Sequence, residues 1–214
     1  MSSIEAVLWD FGGVILSSPF ESFNRYEEAN GLPRDFIRGL NATNPDTNAW
    51  ALMERSEVSL EEFCRLFEEE ARVAGGTLVA AEVLGMLRGE LRPQMVQAQQ
   101  TIKAAGYRQA LLTNNFTSED SGGSGFSRPE LAHAMDVYDC VIESSKAGVR
   151  KPDPAAYQLV LDALQLPAEK IVFLDDLGIN LKPAKAMGMT TIKVLSPEQA
   201  LADLEAVVGF PLRS

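Results

Sequence analysis

Residues 170–195 read KIVFLDDLGINLKPAKAMGMTTIKVL. An apolar run, Ile171 to Leu174, ends in two adjacent acids, Asp175 and Asp176. A segment of helical period follows, and then a second apolar run, TTIKVL. This is a strand–helix–strand unit, and its near-continuous apolar strands suit a parallel sheet covered on both faces. In such sheets ligands bind beyond the carboxyl ends of the strands. A pair of acids at a strand end therefore marks where chemistry is expected.

The same alternation extends in both directions. Downstream, PEQALADLEAVV is a final helix. Upstream, DPAAYQLVLDALQ (153–165) is a helix, DCVIESS (139–145) a strand, YRQALLTNN a strand and PQMVQAQQTIKAAG a helix. The first strand is IEAVLWDF (4–11). From Phe20 to about Glu90 the pattern is almost wholly helical. There Ser59 and Glu62 form a capping box, Phe63, Leu66 and Phe67 share a face, and Gly75-Gly76 stops the helix. FTSEDSGGSGFSRP (116–129) has the composition of a flexible loop. The predicted fold is α/β: a three-layer, Rossmann-like parallel sheet core with an inserted α-helical cap domain. The expected division is 1–16 and 91–214 for the core and 17–90 for the cap.

Bulk composition fits this reading. The chain has 214 residues, enough for a core domain with a smaller insertion. No stretch approaches the ~20 apolar residues of a membrane span, and no secretory signal is evident. Two cysteines in unlike contexts, Cys64 and Cys140, suggest a reducing cytoplasm. A net charge of −11 argues against nucleic acid and anionic membranes as partners. A small anionic substrate is still allowed, because a local lysine and backbone amides act at short range.

Three strand ends carry polar chemistry. The first ends in Asp10, followed by Phe11, Gly12 and Gly13. A later one ends in Thr113, Asn114 and Asn115, and another in Asp175-Asp176. Lys151 lies in VRKPDP, just before a helix start. Carboxylates suit a hard cation such as Mg²⁺. Glycine-flanked backbone amides and a lysine suit a phosphate. Two adjacent acids repel each other unless a cation or donors lie nearby.

The order Asp, Thr-Asn, Lys-Pro, Asp-Asp resembles that of the haloacid dehalogenase-like hydrolase superfamily. WDFGGV is similar to its nucleophile motif, LLTNN to its phosphate-binding motif, RKPDP to its lysine motif and FLDDLGINLKPAKAMGM to its acidic metal motif. The helical block falls where one subfamily carries a cap. The stretch from VIESSKAGVRKPDP onward is most similar to the N-terminal phosphatase-type domain of soluble epoxide hydrolases and its relatives. The resemblance implies a Mg²⁺-dependent phosphatase acting on a small phosphate ester or anhydride, as a monomer or homodimer. Asp10 would be the nucleophile. Mg²⁺ would bind Asp10, the carbonyl of Gly12 and Asp176, with Asp175 a second acid and Asn180 holding a metal-bound water. Phe11, Gly12, Thr113, Asn114 and Lys151 would hold phosphoryl oxygens.

Position 12 departs from the pattern, because family phosphatases usually have an acid/base Asp there. Glycine keeps the carbonyl and loses the proton donor, and general acid catalysis is typically worth ~10²–10⁴ in rate. Three outcomes follow. Substrates with good leaving groups are favoured; or Asp175, a cap residue or water supplies the proton; or the protein is a weak or non-catalytic phosphate-binding relative. Metal-independent dehalogenation would leave Asp175-Asp176 an unneutralised pair. In the cap, Asn44, Trp50, Glu54 and Arg55 are candidate substrate contacts, against the simpler expectation that Trp50 is cap core and the charges its solvated face. His133 reads as a helix-surface residue, and both cysteines as core.

Overall fold

A computed structural model describes residues 4–115 and 129–213. Five parallel strands form one sheet in the order β3-β2-β1-β4-β5. They are β1 (Ala6–Trp9), β2 (Arg108–Thr113), β3 (Cys140–Glu143), β4 (Ile171–Asp175) and β5 (Thr190–Lys193). β1 is central, with Leu8 in register with Ala110 of β2 and Phe173 of β4. The connection order reverses on either side of β1, which puts the switch point of the sheet at its carboxyl end.

Both faces of the sheet are covered, and side chains alternate between them. From β1, Val7 and Trp9 join one core with Leu111, Val172 and Leu174, under α6 (Pro93–Ala104) and α11 (Pro197–Val208). Ala6 and Leu8 join the other with Ala110, Leu112 and Phe173, under α9 (Pro154–Leu164) and α10 (Gly178–Ala186). This is why the strands read as unbroken apolar runs. A polar chain threads the first core: the Trp9 indole donates to Gln109 (2.9 Å), whose amide donates to the Gln99 carbonyl (2.9 Å).

Between β1 and β2 the chain builds a separate helical layer: α1 (Phe20–Ala29), α2 (Phe36–Ala42), α3 (Ala49–Glu54), α4 (Leu60–Val73) and α5 (Ala80–Gly85). Its core is its own, drawn wholly from this segment. Trp50 stands edge-on to Phe63 and Phe67, at 5.1 and 5.7 Å between ring centroids. Ser59 caps α4 by accepting from the Glu62 amide (3.1 Å), as its spacing predicted. Helix α2 has no such signal. Its first amides are held from a distance by buried Glu27, which accepts from the Asp35 and Ile37 N–H groups (2.8 and 2.9 Å). The two chain crossings between layers lie side by side. Leu16 and Leu91 form an antiparallel bridge, and the Ser17 amide donates to the Glu90 carbonyl (2.7 Å).

Several strands are shorter than their apolar runs. β1 ends at Trp9 because the Phe11 carbonyl turns back to accept from Val14, Ile15 and Leu16. β3 ends at Glu143, where a short helix, α8 (Ser144–Ala147), begins. Ser144 and Ser145 there bond Asn115 of the neighbouring strand end. The predicted flexible loop at 116–129 lies outside the described residues, apart from Pro129.

Candidate active site

The sheet delivers its acids to one place. Asp10 follows β1; Asp175 ends β4, its neighbour, and Asp176 comes next. Carboxylate oxygens of all three lie within 4.8 Å of one another. Lys151, from the turn before α9, reaches between two of them. Its ammonium is 2.8 Å from Asp10 Oδ1 and 2.8 Å from Asp175 Oδ2, and the residue is 1 % exposed. Burial pulls this ammonium's pKa down, but Asp10 and Asp175 outweigh it and hold it above the ordinary lysine value.

Asp175 is the most constrained member. It has no exposed surface. Besides Lys151, it accepts from the Leu177 amide (2.8 Å), and the Asn180 side chain lies 3.1 and 3.0 Å from its two oxygens. The Tyr157 hydroxyl fixes Asn180 in turn by donating to its carbonyl (2.6 Å). The Asn180 amide is thus committed to Asp175. Asp10 Oδ1 also accepts from the Phe11 amide (2.7 Å), so that N–H is engaged by the carboxylate itself.

Asp176 faces the glycine turn after β1. A Cβ on Gly13 would sit 2.2 Å from Asp176 Oδ2, and Gly13 has φ +75°. Glycine is therefore required here both for backbone conformation and for close approach of the acid. Gly12 differs: it is exposed, and a Cβ would meet nothing within 4 Å. Burial and neighbouring Asp175 push the Asp176 carboxyl up to about 6, with Lys151 and Arg92 offsetting only part of this. Burial, then Asp175 and Asp176, likewise hold Asp10 well above the usual carboxylate range against the pull of Lys151. Three clustered carboxylates against one ammonium leave a surplus of buried negative charge. An all-oxygen donor set with such a surplus fits a hard divalent cation.

Thr113 ends β2, buried and in register with Glu143. Asn114 ties this strand end to the lysine turn. Its side chain donates to the Lys151 carbonyl (3.0 Å) and accepts from the Lys151 amide (2.9 Å). Asn115 locks the far side by donating to Glu143 (2.7 Å) and accepting from the Ser145 hydroxyl (2.9 Å). All the strand-end residues singled out in sequence thus gather at one end of the sheet.

The cap residues divide. Trp50 is cap core, 7 % exposed, as the simpler expectation held. Asn44 is exposed. Glu54 does not belong to a solvated face. Its side chain is 15 % exposed and lies 2.6 Å from Arg150 Nε of the core. Arg150 also donates to the cap carbonyl of Pro45 (2.8 Å), and the Ser56 hydroxyl donates to the Ser145 carbonyl (3.0 Å). The sequence reading missed Arg150 and Arg92, whose guanidinium donates to the Gly13 carbonyl (2.7 Å). Each stands one or two residues before a proline at a junction of the two layers, which was the available signal. His133 is exposed, and both cysteines are half-buried free thiols whose pKa burial pushes up.

A cleft of about 270 Å³ between cap and core opens on Asp176. Its walls include Gly13, Phe20, Arg38, Arg92, Lys193 and Leu195. A larger cavity, about 420 Å³, lies on the Arg55–Arg150 flank and has none of the three clustered acids on its walls. The chemistry thus faces the smaller one.

Fold and site together define a capped α/β protein of hydrolase type, with an acid cluster at the switch point of a parallel sheet. A family model described as haloacid dehalogenase-like hydrolase matches residues 4–188, and the chain belongs to that family. Acyl-CoA dehydrogenase family member 10 of Mus musculus is 38% identical over 223 residues, covering 98% of this chain and 20% of that protein. Bifunctional epoxide hydrolase 2 of Sus scrofa is 31% identical over 221 residues, covering 98% of this chain and 40% of that protein. The chain thus spans only about a fifth and two fifths of the length of these relatives. Phosphatase MT3486 of Mycobacterium tuberculosis is 30% identical over 200 residues, with 87% and 85% covered. Among solved structures, a predicted HAD-like family hydrolase from Porphyromonas gingivalis gives a TM-score of 0.61 at 22% identity, covering 90% of this chain and 91% of that one. A HAD family enzyme from Bacteroides thetaiotaomicron, in complex with magnesium and inorganic phosphate, gives 0.59 at 16% identity, covering 89% and 94%. At these identities the two structures show the fold.

Proposed function

We propose that this chain is a Mg²⁺-dependent phosphohydrolase acting on a small phosphorylated metabolite through an aspartyl-phosphate on Asp10. The observation that carries the reading is the Asp10–Lys151–Asp175–Asp176 cluster, in which acids outnumber the cation at the switch point of the sheet. The phosphatase relative and the magnesium- and phosphate-bound fold neighbour support the same reading. The cap is taken as 17–90, and the core as 1–16 and 91–214.

In this reading Asp10, the Gly12 carbonyl and Asp176 hold the cation, which supplies charge neutralisation for the phosphoryl group. Asp175 holds Lys151 rather than the metal, since its two oxygens already receive Lys151, Asn180 and the Leu177 amide. Lys151, Thr113 and the Asn114 region orient the phosphoryl oxygens, and Lys151 compensates their charge. A carboxylate oxygen of Asp10 then attacks phosphorus, and water later hydrolyses the acyl phosphate. Arg38, Arg92 and Lys193 on the cleft walls make a local cationic approach in a protein of net charge −11. Gly12 donates no proton, so turnover leans on a good leaving group or on another acid.

Hydrolysis of 4-nitrophenyl phosphate with and without Mg²⁺ tests the reading. The wild type is expected to show Mg²⁺-dependent release of nitrophenol that Asp10→Asn lacks. Equal rates for the two proteins would sink it. Turnover of a chloroacid without metal would favour dehalogenation instead.

A further inference from the structure

The cleft that opens on Asp176 runs against the acidic character of the chain. Arg38 of the cap and Arg92 and Lys193 of the core stand on its walls, and Asp176 is the one acid among the described residues there. In the phosphatase reading the bound cation takes up the charge of Asp176. The walls then carry an excess of positive charge, in a protein of net charge −11. A single phosphoryl group does not use that excess, because Lys151 and the cation already compensate its oxygens.

The three cations are not equivalent. Arg92 is partly committed: its guanidinium donates to the Gly13 carbonyl (2.7 Å) and holds the turn. Arg38, on α2, has its guanidinium 4.2 Å from the centre of the Phe20 ring, which supports the group on one face. Its Nη1 also lies 3.3 Å from Asp35, but these side chains are 46 % and 50 % exposed, and a surface pair of that kind contributes little. A guanidinium held this way suits the two oxygens of a carboxylate or phosphate. Lys193 ends β5, in register with Asp175 of the neighbouring strand. It is exposed and pairs with no acid among the described residues. Phe20 and Leu195 give the same walls apolar surface, and Leu195 is 74 % exposed. The volume of about 270 Å³ is at the small end of small-molecule sites.

We propose that this cleft binds a second anionic group of the substrate. The substrate is then a small phosphate monoester whose far end carries a carboxylate or a phosphate, joined through a short apolar spacer. The proposal rests on the phosphatase reading for the position of the first phosphate, and deepens it. Arg38 and Lys193 hold the far anion, Phe20 and Leu195 line the spacer, and Arg92 adds its charge without leaving the glycine turn. One of the two holding cations comes from the cap and the other from the core. The far anion therefore bridges the two layers, which an uncharged ester of the same size cannot do.

The larger cavity on the Arg55–Arg150 flank fits this role less well. Arg55 is paired there with Glu57 at 2.7 Å and Arg150 with Glu54 at 2.6 Å, and the cavity has none of the clustered acids on its walls.

Isothermal titration with Mg²⁺ present tests the assignment with three non-hydrolysable ligands built on one frame. They are 4-carboxybenzylphosphonate, its uncharged counterpart 4-carbamoylbenzylphosphonate, and 4-phosphonobenzylphosphonate. Wild type is expected to bind the carboxy ligand roughly tenfold more tightly than the carbamoyl one, the weight of a charge-assisted hydrogen bond. Arg38→Gln and Lys193→Gln should each reduce that ratio, and the double variant should bring it close to one. Lys185→Gln is the control for overall charge. Lys185 is exposed in the last turn of α10, which in a parallel strand–helix–strand unit lies at the opposite end of the sheet from the cleft. This variant should keep the wild-type ratio.

A wild-type ratio of one or less overturns the proposal. So does a ratio that survives in the double variant, or one that falls as far in Lys185→Gln. The phosphono ligand separates the two sources of the anion: if it binds more tightly than the carboxy ligand the far group is a phosphate, and the reverse order makes it a carboxylate. Arg38 and Lys193 are both exposed, and a circular-dichroism melt checks that each variant folds; should the double variant fail, the two single variants decide. Binding is read here without turnover, so the two readings fail separately. A wild type that shows the preference but does not hydrolyse 4-nitrophenyl phosphate keeps this site and loses the catalytic reading. A wild type that hydrolyses the ester but binds none of the three ligands loses this site alone.

Discussion

Replacing Gly13 by alanine should separate a local stability cost from a larger loss at the site. With φ at +75°, an L residue here pays the left-handed penalty of about 1–2 kcal/mol. The new Cβ would lie 2.2 Å from Asp176 Oδ2 and 2.4 Å from its Cγ. Those atoms belong to the end of a short side chain, so the clash is relieved by rotating the carboxylate away and adds little to the folding cost. For a chain of this length, about 1–2 kcal/mol lowers Tm by about 2–8 °C. The displaced Asp176, however, no longer faces Asp10. On the phosphatase reading, added Mg²⁺ should raise the Tm of the wild type, and this rise should be lost almost entirely in Gly13→Ala. Gly12→Ala is the control. It has no positive-φ cost and open space around the Cβ, so its Tm and its Mg²⁺ response should stay close to wild type. Differential scanning calorimetry with and without millimolar Mg²⁺ reads both quantities. Equal effects from the two substitutions, or a Gly13→Ala protein that keeps its Mg²⁺ response, would refute the placement of Asp176 against the glycine turn.

Two further outcomes follow from other charges. Lys151→Met leaves Asp10 and Asp175 facing each other without their shared ammonium, and breaking such a buried pair costs about 3–5 kcal/mol. A urea titration should show a correspondingly lower midpoint, and an unchanged midpoint would contradict the buried pairing. At the C-terminus, hydrogen bonds from Arg213 and from the Leu212 and Arg213 amides pull Glu205 down to about 2. A carboxyl whose folded pKa lies below its unfolded value adds stability above the ordinary value of 4.5 and loses it as pH falls towards 2. Tm should therefore fall more steeply over that window in wild type than in Glu205→Gln; parallel curves would count against the contact.

The parallel core was legible because buried strands of a doubly covered sheet must be apolar throughout, so β1, β2 and β4 announce themselves, and their polar ends stand out against them. Asp10, Thr113 and Asp175-Asp176 were found for that reason. The roles within the cluster were less legible. Asp175 and Asp176 look equivalent in sequence, yet one is held by Lys151, Asn180 and a backbone amide while the other faces a glycine. Helical period likewise identified Phe63 and Phe67 as cap core, but not that Glu54 of the preceding helix turns towards the sheet domain. Amphipathic patterning reports which face is apolar. It carries no information on which charged residue meets a partner across an interface 96 residues away in sequence, as Glu54 meets Arg150.

That interface gives a physical reason why the acid cluster and the seat of the cap are coupled. The chain runs from Asp10 straight through the glycine turn to the bridge at Leu16–Leu91, and the returning chain brings Arg92 back beside it. The Arg92 amide donates to the Ile15 carbonyl (2.9 Å), while its guanidinium donates to the Gly13 carbonyl (2.7 Å). One residue thus ties the cap crossing to the turn that faces Asp176. On the opposite flank, Arg150 holds Glu54 and Pro45 of the cap and precedes Lys151 in sequence. Each basic residue at a layer junction adjoins a member of the acid cluster or its lysine. A shift of the cap on the core must therefore move one of two things: the glycine turn that positions Asp176, or the turn that carries Lys151. The cap's seat and the geometry of the site are set by the same few contacts.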